Sequence, residues 1–343
     1  MWLFLRWGGG IALAGLAAWL VTGQTDELSG ASRYLGELRW WWMLLAVAAE
    51  GLSYLAFSSL QRVLLACGRA SAGRGRMFGV ALAFNALQNS LPAGAAFAAA
   101  FVYRQYRRLG ADELVAAWTL VTQVVLSFAS LSVLAVVGLF LALGTGSALD
   151  LLDVILGTAA VALLLVLAWW ERAWLLDHSV HVVQFVQRVT RHPKGDAATL
   201  VADARGRIGA VAPDRRTWLR AGLYAVGNWV FDLGCLTLAF LAVGADIPWH
   251  GLLLAYAAAQ LAATLPFTPG GLGVVEGSLT VALVTFGGAE ASAVAAVLIY
   301  RIISFWAELP VGWVAWLAVG RHHRQEITRG PLALPVGVTG AGE

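Results

Sequence analysis

The sequence predicts an all-α polytopic membrane protein, with six full spans and two re-entrant hairpins arranged as an inverted repeat. Three observations carry this. Hydrophobic residues make up 59% of the chain, mean hydropathy is +0.74, and continuous apolar runs of about 18 residues or more recur. Two apolar stretches, around Pro92 and around Pro266–Gly273, are broken by proline and glycine. The basic residues gather on one side of the resulting topology, as the positive-inside rule requires. A soluble protein is excluded. A membrane β-barrel is not expected, because the runs are continuous and do not alternate.

The first span is expected at about Leu3–Val21, retained because Arg6 and the apolar run lack a small-residue cleavage site. A loop with Asp26, Glu27, Arg33, Glu37 and Arg39 leads to Trp40-Trp41-Trp42, an interfacial aromatic belt opening span two, which runs to about Leu65 and contains Glu50. Residues 77–103 are apolar but hold Asn85, Gln88, Asn89, Pro92 and Gly94. Arginines flank them on both sides: Arg69, Arg74 and Arg76 before, Arg104, Arg107 and Arg108 after. Both ends therefore lie on the cytoplasmic side, and the segment reads as a re-entrant hairpin with its tip near Pro92. Span three is expected at Glu113–Leu143 and span four at Leu151–Trp170. Residues 171–217 carry eight basic residues and an amphipathic helix around Val182, Val183, Phe185, Val186 and Val189, suited to the anionic inner leaflet rather than to nucleic acid. Span five is expected at Trp218–Val243, with Asn228 and Asp232 on one face.

Next comes Leu265-Pro266-Phe267-Thr268-Pro269-Gly270-Gly271-Leu272-Gly273-Val274-Val275-Glu276. Pro266 and Pro269 remove amide donors and stop a helix. Gly270, Gly271 and Gly273 permit positive φ and close backbone approach. Non-helical backbone at membrane depth survives only where protein buries it or where it lines a watery cavity. The stretch reads as the tip of a second re-entrant hairpin with Glu276 on its second arm; an extramembrane turn between two short spans is the other reading. Span six is expected at Ala291–Val319, holding Arg301, Glu308 and Pro310.

Of the 23 Lys and Arg, Arg33 and Arg39 fall outside and Arg301 within the membrane, leaving 20 on the cytoplasmic side with both termini. The chain is expected to be a single transmembrane domain, 1–325, made of a first span and loop (1–39), a first repeat unit (40–143), a linking region (144–217) and a second unit (218–320). A disordered tail, 326–343, follows. The units have opposite topology. Leu91-Pro92 matches Leu265-Pro266, and Leu109-Gly110-Ala111-Asp112-Glu113 resembles Phe286-Gly287-Gly288-Ala289-Glu290, three residues out of step. Inverted repeats with interrupted helices near the midplane are a transporter architecture, and the breaks point to the substrate site.

Pro266-x-x-Pro269-Gly270-Gly271-x-Gly273-x-x-Glu276, followed by Tyr300-Arg301, resembles the lysylphosphatidylglycerol synthetase transmembrane-region family, the flippase-type domain of the multiple peptide resistance factor. The resemblance covers nearly the whole chain. Asn89, Pro92, Gly94 and Arg104 resemble the family's Asn–Pro–Gly–Arg pattern, but Ala95 stands where an acidic residue is common. The resemblance implies a membrane domain standing without an aminoacyl-transferase domain, located in the cytoplasmic membrane.

Arg301 lies about ten residues into span six, roughly 15 Å deep at the rise of an α-helix. A bare arginine there costs ~2.5–3.5 kcal/mol on insertion scales, so it calls for a partner. Glu276, Asp232, Glu50 and Glu308 are the candidates. Two readings fit: a polar groove in which Arg301 meets a lipid phosphate, or an ion pair that locks the hairpin to span six. His178 and His181 have no carboxylate or cysteine spacing that completes a metal site, and no catalytic or nucleotide-binding motif is present. Neither enzyme activity nor cofactor is expected. The expected function is translocation of an anionic phospholipid or a polyprenyl-phosphate-linked sugar. The alternatives are an enzyme or subunit of glycolipid and cell-envelope assembly, and a non-transporting scaffold. A homo-oligomer or an envelope-biosynthesis enzyme is a possible partner.

Overall fold

A computed structural model describes residues 38–91, 94–143, 213–263 and 269–328. The expected spans one and four, the amphipathic segment around Val182–Val189, Pro92, Pro266 and the tail from 329 on lie outside these residues, whereas 326–328, expected in the disordered tail, continue the last helix. The described residues are helical throughout apart from short connections. Helix α1 spans Trp40–Cys67, α2 Arg74–Ser90, α3 Gly94–Arg108 and α4 Glu113–Leu143. Then come α5 (Arg215–Val243), α6 (Trp249–Ala263), a 3₁₀ turn at Pro269–Gly271, α7 (Val274–Thr285) and α8 (Glu290–Arg301). A π-helical segment, Ile302–Trp306, joins α8 to α9 (Glu308–Thr328).

Among the described residues, four helices are long and apolar enough to cross a membrane: Trp40–Cys67, Glu113–Ala142, Arg215–Val243 and Glu290–Gly320. Only 33% to 50% of each apolar window is buried. The rest is exposed and still apolar, as at Leu44, Leu52 and Leu55 on α1, Val124, Phe128 and Phe140 on α4, and Leu219, Leu223 and Val230 on α5. Water would penalise such faces over this area, whereas lipid does not. The interior is built largely from alanine, with Ala46, Ala49, Ala239, Ala255, Ala259, Ala293 and Ala296 around Leu236, Phe240, Leu279 and Ile299. Small side chains let helices approach closely, which is how dispersion holds helices together where lipid is as apolar as the protein.

Helices α1 and α5 run antiparallel along their whole length. The Arg39 N–H donates to the Ala242 carbonyl at 2.9 Å at one end. At the other, Leu60 and Leu64 pack with Ala221 and Ala225. Between them, Ser53 and Asn228 bond reciprocally: the Ser53 hydroxyl donates to the Asn228 carbonyl at 2.9 Å, and Asn228 Nδ2 donates to Ser53 Oγ at 2.6 Å. Helix α2 packs on α3, and α6 on α7. Each pair also lies against the distant long helix, α2 along α9 and α6 along α4. Two glycines allow these contacts. A Cβ on Gly138 would come within 2.7 Å of the Leu254 amide nitrogen, and one on Gly312 within 2.5 Å of the Leu82 carbonyl oxygen.

The turns after α3 and α7 are alike. Gly110 has φ +89° and Gly287 φ +92°. In each, the glycine N–H and the next N–H reach back to two carbonyls of the last helical turn: Gly110 to Arg107 and Ala111 to Tyr106, Gly287 to Val284 and Gly288 to Leu283. This is a Schellman cap, which needs a left-handed residue. Span six is not the uniform helix the hydropathy suggests. The Ala307 N–H bonds to the Ile302 carbonyl at 2.8 Å, a five-residue step. Pro310 explains the position: its ring would clash with the Trp306 carbonyl of a regular helix, and the wider turn relieves that clash.

Candidate functional site

Several buried polar side chains converge where α1, α5, α6, α7 and α8 meet. Asp232, on α5 and 8% exposed, is the hub. Its Oδ2 accepts from the Tyr256 hydroxyl at 2.5 Å and from Gln260 Nε2 at 2.9 Å, and its Oδ1 accepts from the Tyr300 hydroxyl at 3.0 Å. Gln260 Nε2 also donates to the Tyr300 hydroxyl at 3.0 Å, closing the ring. Glu50 reaches Asp232 and Cys235 from α1, and Glu308 meets the Tyr54 hydroxyl from α9.

Next to this ring sits Arg301, the single buried basic residue among those described. Its Nε donates to Glu276 Oε1 at 2.6 Å, its Nη2 to the Gly270 carbonyl at 3.2 Å, and its guanidinium lies 4.4 Å from the centre of the Phe305 ring. Glu276 turns its other oxygen onto the Gly273 N–H at 2.7 Å, at the first turn of α7. One carboxylate thus serves as helix cap and as counter-ion. The broken backbone is covered tightly, since a Cβ on Gly270 would collide with the Phe305 ring. The turn Pro269–Gly271 packs against α2, so the second interruption lies against the first helical pair.

The sequence-derived candidates divide. Arg301, Glu276, Gly270 and Gly273 come together, with Asp232 in the adjoining ring and Glu50 and Glu308 beside it. Pro269 and Gly271 complete the turn. Gly94 is placed by close packing: a Cβ there would collide with the Gln88 carbonyl oxygen, so its lack of a side chain lets α3 start against the end of α2. Arg104 is exposed and donates to the Ala100 carbonyl at 3.1 Å, away from the ring. Asn89 is half-buried near the end of α2, and Asn85 donates within its own helix to Ala81. The end of α2 is tied instead by Ser90, which donates to the Ala86 carbonyl and accepts from Trp313 Nε1 at 3.2 Å. Tyr256, Gln260, Phe305, Tyr54 and Ser90 were not legible as site residues. A tyrosine and a glutamine four apart in an apolar helix were the available signal, because buried polar groups require partners.

Over residues 7–312 the chain matches the lysylphosphatidylglycerol synthase TM region. The chain belongs to that family. It is a multi-pass membrane protein. Three proteins of Methanothermobacter thermautotrophicus described as UPF0104 membrane proteins are each 32% identical to it, over 108, 87 and 85 residues. The first match covers 32% of this chain and 31% of the relative, the second 25% and 26%, the third 25% of each. The matched stretches thus span about a third or less of these curated relatives' own length.

Proposed function

We propose that this protein is a lipid translocase, moving an anionic phospholipid or a polyprenyl-phosphate-linked sugar across the cytoplasmic membrane. The observation that carries the reading is Arg301, 7% exposed and held at a backbone interruption by Glu276 and the Gly270 carbonyl. A guanidinium offers five donors in a planar fork suited to phosphate. An arginine inside a membrane span is costly enough to mark a substrate path. In this reading the headgroup exchanges with Glu276 at Arg301 while the acyl chains stay in lipid.

The architecture supports the reading. Helices α1–α4 and α5–α9 form two units of opposite topology, and α2–α3 and α6–α7 are re-entrant hairpins. The crossing of α1 and α5 at Ser53 and Asn228 is reciprocal, Gly138 and Gly312 make matching close approaches, and Gly110 and Gly287 end equivalent arms. Binding between such units at interrupted helices allows alternating access by rocking one against the other. Both termini are cytoplasmic in this topology.

Reconstitution into vesicles with fluorescent headgroup-labelled phosphatidylglycerol tests the reading. Wild-type protein accelerates exchange of the label between leaflets, and Arg301→Leu abolishes the acceleration while still inserting and purifying. An Arg301→Leu/Glu276→Leu double variant that moves lipid as fast as wild type overturns the headgroup role, because a locking ion pair can be replaced by apolar contact whereas a phosphate-binding arginine cannot.

A further inference from the structure

Glu50 is the carboxyl that headgroup binding leaves without a task. It projects from α1 into the crossing with α5, is 7% exposed, and its Oε2 has no hydrogen-bond partner among the described residues. One turn from the Ser53–Asn228 bonds, it faces Asp232 and Cys235 across the two antiparallel helices. Two buried carboxylates in contact cannot both be ionised; one proton must lie between them. The donors decide which residue carries it. Asp232 accepts from Tyr256, Gln260 and Tyr300, and three such donors favour the charged form at Asp232 over the charged form at Glu50. Glu50 therefore holds the proton and donates it to Asp232. Glu308 repeats the pattern more weakly: it is 5% exposed, its Oε1 is unpartnered among the described residues, and its carboxyl faces Tyr54.

We infer that Glu50 and Asp232 form a proton-carrying pair whose loading is linked to the binding of an anionic headgroup at Arg301. The linkage rests on the translocase reading; the proton on Glu50 does not. The groups facing the pair are Tyr54 on α1, Cys235 on α5, Tyr256 on α6, Tyr300 and Arg301 on α8, and Glu308 on α9, with Glu276 on α7 behind Arg301. Arg301 is the single cation in that set. A phosphodiester arriving at Arg301 adds one negative charge to a site already rich in carboxyls, at low dielectric. Uptake of one proton from water onto Asp232 cancels it, and both carboxyls are then neutral. When the anion leaves, the proton leaves with it. No covalent bond other than O–H changes, and anion and proton move one for one.

Infrared spectroscopy of the purified full-length protein in micelles of a detergent without ester groups reads the proton directly, through the deuterium-sensitive C=O band of a protonated carboxyl. Wild type should show such a band at neutral pH. Glu50→Gln, of nearly equal volume, should lose the Glu50 component. Asp232→Asn, which offers Glu50 a donor in place of its acceptor, should lose the same component. If Glu50→Gln keeps the wild-type band, whatever Asp232→Asn does, Glu50 does not carry the proton and the inference falls. Phosphatidylglycerol should enlarge the band in wild type and leave it unchanged in Arg301→Leu. A band unmoved by phosphatidylglycerol that native mass spectrometry shows to be retained by wild type, and not by Arg301→Leu, overturns the linkage alone. Absence of any Arg301-dependent retention defeats the headgroup reading, and the linkage with it, while the Glu50 band still stands.

Discussion

The Arg301–Glu276 pair is asymmetric, and stability measurements on its variants should be asymmetric too. Arg301 is buried, with 8% of its side chain exposed, whereas 24% of the Glu276 side chain is exposed. Glu276→Leu strands a guanidinium that cannot give up its charge; breaking a buried pair in this way costs about 3–5 kcal/mol. It also removes the bond to the Gly273 N–H, worth about 1 kcal/mol as a cap. Arg301→Leu leaves a half-buried carboxylate that keeps its bond to the Gly273 N–H, so the loss is the charged hydrogen bonds, about 1.5–3 kcal/mol. The double variant restores apolar contact and should lose much less than the sum. Denaturant titration in mixed micelles, followed by tryptophan fluorescence, supplies the four free energies of a double-mutant cycle. A coupling of about 2 kcal/mol or more is expected. Single effects that add to within about 0.5 kcal/mol would show that the two side chains do not interact, and the geometry of the site would have to be abandoned.

Other expectations follow from the packing and the topology. Gly138→Ala and Gly312→Ala each push a Cβ into the backbone of a neighbouring helix, at 2.7 and 2.5 Å, and should each cost about 1–3 kcal/mol in the same titration; Gly222→Ala, with open space around it, should cost nothing measurable. Asp214 caps α5 by accepting from the Thr217 N–H at 2.9 Å, a bond that holds its carboxyl below the usual aspartate value. Its contribution is therefore full above the ordinary carboxylate value and disappears as pH falls through the lowered one: melting curves of Asp214→Ala and wild type should differ at neutral pH and converge in acid. Single cysteines at Arg74 and Arg107 should be shielded from an impermeant external thiol reagent while one at Asp246 is labelled. Labelling at 107 but not at 74 would make α2–α3 a full crossing.

Hydropathy and charge bias act along the chain, residue by residue, so the membrane class and the long helices are legible in the order of residues itself. Helix α4 has the expected bounds, Glu113–Leu143. Helix α5 begins at Arg215, three residues earlier than expected, because Asp214 caps it there. The interruption at Pro269–Gly271 follows from residue chemistry alone. So does the need for a counter-ion at Arg301, since desolvation penalises any lone charge in lipid. Which carboxylate answers it does not follow. Glu50, Asp232, Glu276 and Glu308 are equivalent on hydropathy and charge, and rotation of α7 about its axis decides for Glu276, 25 residues from Arg301. The Asp232 ring draws Tyr256 from 24 residues away and Tyr300 from 68. These helices are apolar on nearly every face, so hydrophobic periodicity carries no phase from which to read such rotations. Close packing at Gly138 and Gly312 fixes how α4 meets α6 and how α9 meets α2, and that is a property of two surfaces together. What the sequence alone determined is where helices run and where they break; which side chains meet was decided by how tightly those helices can approach.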